Sequence, residues 1–250
     1  MLTTTVAAQD PILAKTYPRG AAKKLVVETD SGSITLKQPI DGPIAVNVSP
    51  AAKPGDDCRV TQELKGTTLH LKAHANRNAL GMSKSCSAGF TVSGYFEKID
   101  ARSGSGDVSD EVRSEKAEIK TGSGAIRVRT DSDLTLRTGS GRISGEAAGA
   151  KLDVATGSGD VSLNGLTGLV KAKSGSGAIS VDWTSVPPSG TIEINTGSGS
   201  LQAAFPKDTK LKASVRSAAG NIRNDFDDKD AKLALDFKSG SGDASVTRKP

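Results

Sequence analysis

Apolar residues along this chain recur two apart, cross a glycine, and then recur two apart again with the opposite parity. The unit returns every 17–22 residues and is marked by Gly-Ser-Gly, beginning at Gly104, Gly122, Gly139, Gly157, Gly175, Gly197 and Gly240. Asp30-Ser31-Gly32 and Ala218-Ala219-Gly220 are degenerate copies. With the tripeptide at positions 5–7, position 0 is apolar in all nine copies, from Leu25 and Ile99 to Ala213 and Leu235. Position 2 is apolar as well, from Val27 to Phe237, and position 4 is always Ser or Thr. Residues two apart on a strand share a face, so positions 0, 2, 4 and 6 are predicted to point inward, the serine of the tripeptide included.

Position 7 is glycine in every copy, and beyond it the apolar positions are odd: position 9 throughout, from Ile34 to Ala244, and position 11 in most copies, such as Leu36 and Val128. A strand changes its inward parity only at a bend. Glycine is expected there for the positive φ that a corner can require. Each unit therefore reads as strand, glycine corner, strand and return. Repeats of this length stack into a solenoid, here an all-β parallel β-helix of about 18–22 residues per rung. Parallel crossovers are overwhelmingly right-handed, so that hand is expected.

Three regions follow. Residues 1–24, with Pro11, Pro18 and Gly20, read as an irregular lead-in; residues 25–99 as a first rung plus a β-rich cap; residues 100–250 as the repeat solenoid. From Lys37 to Lys98 the repeat is lost. Cys58–Leu64 and Thr67–Ala73 form a hairpin pattern around Lys65-Gly66, and Asn76–Ser87 is polar and loop-like. A cap is reasonable because an open solenoid end exposes unpaired edges. Cys58 and Cys86 lie within it. In an exported protein they would pair as a disulfide; the alternative is one buried and one free thiol. His70 and His74 share a strand face but lie roughly 13 Å apart, too far to hold one metal.

Of the eight repeats from Asp100 the first four are short and the next three longer, and the extra residues fall in the return. Each long repeat carries an aromatic at position 13, namely Trp183, Phe205 and Phe226, predicted to form a ladder. The ladder reads either as a sugar-stacking platform or as core filling a wider rung; its parity with positions 9 and 11 favours core. The outward positions form charged columns. Position 1 is acidic in Asp100, Glu118, Asp153, Glu193 and Asp236; position 3 is basic in Arg102, Lys120, Arg137, Lys173, Arg216 and Lys238. The basic column is a candidate stripe for anionic glycans or lipid head groups, or else a solvated face offset by the acids beside it. A second candidate is the return face from Asp182 to Asp230, where Lys207, Lys210, Asp225, Asp227, Asp228 and Lys229 give mixed charge suited to protein contact.

Composition narrows the classes. Net charge is only +5 and aromatics are 3%, which argues against nucleic-acid binding. No run approaches a membrane span, and no signal peptide is visible at Met1–Asp10, although Val6-Ala7-Ala8 could be the remnant of a cleavage region. The Gly-Ser-Gly-Asp copies ending at Asp107, Asp160 and Asp243 lack the nine-residue period of calcium rolls. No nucleophile elbow or phosphate loop is present. Acids are spread in columns instead of clustered in a groove, so no catalytic, cofactor-binding or metal residues are expected.

The recurring Thr-Gly-Ser-Gly-Asp/Ala-Ile/Val pattern, led by a Cys-containing β region, resembles the bacterial putative-adhesin family of GSG-repeat β-helix domains, related to auto-transporter adhesin head (GIN) domains. The resemblance spans about residues 25–250. It implies export to the periplasm, cell surface or medium, and no catalytic residues. The expected function is a non-enzymatic envelope or surface module for adhesion or scaffolding, meeting a protein or envelope component, with self-association left open. The alternative is a glycan-binding or polysaccharide-active β-helix.

Overall fold

The computed structural model describes residues 14–39, 42–49, 58–75 and 86–250. Most of the expected Asn76–Ser87 loop and the start of the lead-in lie outside them. All regular structure among these residues is β-strand. In chain order the strands are β1 (Lys15–Tyr17), β2 (Lys24–Thr29), β3 (Ile34–Lys37), β4 (Ile44–Ser49), β5 (Cys58–Lys65), β6 (Thr68–Ala75), β7 (Gly89–Ser93) and β8 (Lys98–Ser103). Next come β9 (Val108–Asp110), β10 (Lys116–Thr121), β11 (Ile126–Thr130), β12 (Asp133–Thr138), β13 (Ile143–Ala147), β14 (Lys151–Thr156), β15 (Val161–Leu166) and β16 (Leu169–Ser174). The last are β17 (Ile179–Trp183), β18 (Gly190–Thr196), β19 (Leu201–Phe205), β20 (Lys212–Ser217), β21 (Ile222–Asn224), β22 (Leu233–Ser239) and β23 (Ala244–Arg248).

Two sheets result. The leading sheet collects the strands before each Gly-Ser-Gly corner and the trailing sheet those after it. Both are parallel through the repeats, and equivalent positions stand directly opposite, as in Ile119 against Leu136 and Ile126 against Ile143. Positions 0, 2 and 9 form apolar columns between the sheets from Leu25 to Ala244, buried in every rung but that of β20 and β21. This is the expected β-solenoid.

The corner works differently from the expectation. Glycine at position 7 is needed for space, not for a positive φ. A Cβ on Gly159 would lie 1.8 Å from the Gly141 carbonyl oxygen, and one on Gly124 2.1 Å from that of Gly106. The first glycine of the tripeptide is equally hemmed in, since a Cβ on Gly157 would lie 2.4 Å from the Gly139 oxygen. Backbones of successive rungs touch here. The serine at position 6 also departs from the prediction: Ser105, Ser123, Ser140, Ser158, Ser176, Ser198 and Ser241 are exposed, because the chain turns outward right after position 4.

The position-4 hydroxyl explains itself in the same place. Thr156 Oγ1 accepts the Gly159 N–H at 3.0 Å and donates to the Gly141 carbonyl at 3.3 Å. Thr138 does the same between Gly141 and Gly124, and Thr121 between Gly124 and Gly106. Buried amide and carbonyl groups at the bend thus find partners within the corner. The aspartates at position 8 add an outer stitch. Asp107 and Asp160 accept the backbone N–H of Ala125 and Ala178, the equivalent residue one rung on. That role accounts for the Gly-Ser-Gly-Asp copies without calcium.

At both ends the spatial order departs from the chain order. Strand β6 pairs in parallel with β2, Leu69 opposite Leu25, and β7 pairs in parallel with β3, Phe90 opposite Ile34. A rung is therefore present within Lys37–Lys98, where the sequence pattern is lost. It stacks outside the first rung, with Ala88 against the Gly32 corner. Antiparallel strands close this end: β5 on β6, turning at Gly66, whose φ is +57°, and β4 on β7 followed by β1. At the other end, β22 lies between β18 and β20, and β23 between β19 and β21. The last rung in sequence is inserted beneath the penultimate one. Ser217 Oγ accordingly donates to the Gly242 carbonyl at 2.7 Å, and Ser239 Oγ to that of Gly199 at 3.0 Å.

Candidate functional site

The inserted strand organises the return face of the long rungs. Trp183, Phe205 and Phe226 are fully buried, so the core reading of the aromatics holds. Trp183 and Phe205 stack at 4.4 Å, and Trp183 Nε1 donates to the Gly168 carbonyl. Phe226 meets Phe205 edge-on at 5.6 Å instead of extending the stack, because Arg248 of the inserted rung is the residue opposite Phe205.

Arg248 and Lys249 then tie the returns together. The Arg248 guanidinium sits 4.1 Å from the Phe226 ring centre, a cation–π contact. Its Nη1 donates to the carbonyls of Lys207 and Thr209 at 2.6 and 3.0 Å. Its backbone N–H donates to Asp225 Oδ2 at 3.2 Å. Lys249 Nζ reaches Asp182 Oδ1 and the Trp183 carbonyl, at 2.5 and 2.6 Å. The end of β17 and the returns after β19 and β21 are thereby held by two consecutive residues at the end of the inserted rung.

Of the residues predicted for this face, Lys207 and Lys210 lie on the return after β19, and Asp225, Asp227, Asp228 and Lys229 on the return after β21. Arg248 brings these two loops together. Asp225 is a structural anion: the Arg248 N–H, and then Arg223 at 3.3 Å, hold its carboxyl below the ordinary range. Asp228 accepts the Asp230 N–H within its own loop. Lys207, Lys210, Asp227 and Lys229 are exposed. Sequence reasoning missed Arg248 and Lys249. Their one signal was a pair of basic residues following Val246 at the end of the last apolar column.

The basic column lies along the outer face of the leading sheet. Arg102 makes a two-pronged pair with Asp100, both contacts 2.9 Å, and Lys120 pairs with Glu118, lowering the glutamate's pKa. Arg137 meets Asp153 at 3.0 Å and Lys238 meets Asp236 at 2.5 Å. Lys173 and Arg216 have no such partner among the described residues. Beside this column a shallow groove of about 510 Å³ crosses β10 to β18, with Lys116, Lys151 and Lys171 interleaved with Asp133, Asp153 and Glu193. Each of these acids already has a partner: the Lys151 N–H, Arg137 and Lys171. Among the described residues, no group of three or more His, Cys, Asp or Glu is placed to hold a metal.

Cys58 and Cys86 are joined, with Cα atoms 5.1 Å apart. The bond fastens β5 to the segment leading into β7, and the Cys86 carbonyl accepts the Ser31 N–H. Such a disulfide belongs to an oxidising, extracytoplasmic setting. No helix of the described residues is long and apolar enough to cross a membrane.

Residues 22–249, nearly the whole solenoid, match the Toastrack DUF4097 family. The chain belongs to that family. A narrower kinship with auto-transporter adhesin heads rests on the sequence resemblance alone. No curated protein matches this Toastrack chain significantly. Among solved structures, a putative adhesin from Bacteroides fragilis superposes with a TM-score of 0.53 at 15% identity, covering 94% of this chain and 96% of that one. A putative lipid binding protein from Parabacteroides distasonis gives 0.47 at 14% identity, over 95% and 96%. A putative cell adhesion protein from Clostridium sporogenes gives 0.28 at 13%, over 95% and 98%. The first of these shares the Toastrack fold at a level that concerns architecture only.

Proposed function

We propose that this chain is a non-enzymatic module of the cell envelope or cell surface, exported to the periplasm, surface or medium, that attaches to a protein or envelope component through its return face. The observation that carries the reading is the fastening of the returns after β19 and β21 by Arg248. Exposed loops on a rigid scaffold are where binding residues concentrate. Here Lys207, Lys210, Asp227 and Lys229 stand on loops that Arg248 pins through the backbone carbonyls of Lys207, Thr209 and Asp225. Interspersed charges of both signs suit a protein surface better than a polyanion. The disulfide supports the extracytoplasmic setting, and the Bacteroides fragilis protein of the same fold is itself named a putative adhesin.

The alternative, a glycan-binding or polysaccharide-active β-helix, would use the leading-sheet groove or the basic stripe. It is disfavoured because the groove acids and four of the six stripe cations already have partners. The test uses the purified chain on beads incubated with bacterial envelopes and with cell surfaces. Reversing Lys207, Lys210 and Lys229 to Glu is expected to reduce retention at least tenfold with an unchanged melting temperature. The same reversal at Arg102, Lys120 and Arg137 is expected to leave retention intact. The opposite pattern, or release of reducing or unsaturated sugar ends from an acidic polysaccharide, favours the alternative.

A further inference from the structure

The two ends of the solenoid are finished differently. At the β5 end the outer strand is antiparallel and exposes Arg59, Thr61, Glu63 and Lys65, a charged edge of the kind that discourages strand addition. At the other end β20 pairs only with β22, and β21 only with β23. Among the described residues nothing pairs with their free edges. The same rung is the least buried of the repeats. Ile222 is 50% exposed, whereas every other position-9 residue is buried, and Ala213 and Val215 are only partly covered. Both ends thus carry strand edges with no partner among the described residues, β5 and β1 at one and β20 and β21 at the other; the half-exposed core position, Ile222, lies at the β20–β21 end, while at the other Leu64 of β5 is 37% exposed among charged neighbours.

We propose that this end is an interface for a second copy of the chain, giving a closed, two-fold, tail-to-tail dimer. Turning a rung over about an axis in its own plane reverses the direction in which its chain circulates. Each edge strand of one copy therefore meets an edge strand of the other antiparallel, the same kind of addition that β5 and β4 already make at the opposite end. The charged β5 edge blocks head-to-tail growth, so the assembly stops at two.

Charge selects the pairing. If β20 met β20 centred on Ser214, Lys212 would face Arg216. If β20 instead meets β21 of the second copy with Val215 opposite Ile222, the inward residues face each other. Lys212 then faces Asp225, Ser214 faces Arg223, and Arg216 faces Asn221. No like charges meet, and symmetry makes the contact twice. A six-residue strand of about 20 Å, a three-residue strand of about 10 Å and sheets about 10 Å apart leave a patch well under the roughly 800 Å² per partner of tight complexes, so the dimer is reversible. Its consequence is bivalent display of the return face.

Analytical ultracentrifugation of the full chain, from low to high micromolar, is expected to show monomers converting to dimers and no larger species. Ile222→Lys, at a half-exposed position, is expected to remove the dimer without changing the melting temperature. Should that variant misfold, Ser214→Cys combined with Arg223→Cys decides: mild oxidation is expected to give a covalent dimer, with Cys58–Cys86 intact. A chain that stays monomeric throughout, a dimer indifferent to Ile222→Lys, or a cysteine pair yielding only monomer overturns the proposal and leaves the end to a foreign strand.

Discussion

Two residues of the Gly-Ser-Gly mark carry opposite burdens. Gly159 has no room for a methyl group, and Ser158 faces solvent. Gly159→Ala is therefore expected to cost about 3 kcal/mol, as overpacking against backbone that cannot rotate away. Ser158→Ala is expected to cost under about 0.5 kcal/mol. Urea melts of the two variants check the contrast; equal losses would show that the corner is not sterically closed. Asp110 stands apart. It occupies position 11 between Leu36 and Val128, is fully buried, accepts one N–H from Val112, and has a second oxygen without a partner among the described residues. Burial raises its pKa to about 7. The folded state thus retains a proton that the unfolded chain releases from about pH 4 upward. Stability falls as pH rises from about 4 to 7 and is level above that. Asp110→Asn is expected to stabilise the protein by several kcal/mol at pH 8 and by almost nothing at pH 4, read from denaturation midpoints across that range.

At the scale of strands and rungs, how much was legible depends on what repeats. The columns at positions 0, 2, 4 and 9 were readable because stacking makes each rung impose the same demand on the next. The glycine column was readable as a constraint but not as its cause, since backbone contact between rungs cannot be seen within one rung. The β6–β7 rung was hidden because it has Ala88 at its corner and a long insertion inside it. The inserted last rung was hidden because apolar periodicity carries no information on spatial order. The degenerate Ala218-Ala219-Gly220 was the one trace: it belongs to the rung that ends the stack. The binding face was legible as loops, but not the strand that fastens them. Arg248→Ala is expected to raise hydrogen exchange in residues 206–211 and 225–232 by at least tenfold while β8 to β16 stay protected. If exchange rises evenly along the chain, Arg248 is not a local fastener.

For the whole molecule, stability is close to a sum over neighbouring rungs, so damage at one end stays there. Reducing Cys58–Cys86, which closes a loop with a sequence separation of 28, is expected to withdraw about 3 kcal/mol from the β5 end. Mass-resolved exchange should show β5 to β7 opening and β10 to β23 unaffected. The insertion at the other end constrains time as well as shape. During synthesis or export, residues 212–224 emerge before their seat exists, because that seat is residues 233–248. The vacant edge of β18 and β19 offers them the same apolar parity, so premature docking is a natural trap. To finish, the chain must release that rung and let the later one in. Refolding should show a slow phase that prolyl isomerase does not accelerate and that disappears when residues 211–232 are replaced by a short linker. The last turn of the solenoid cannot be completed until the chain behind it has been delivered.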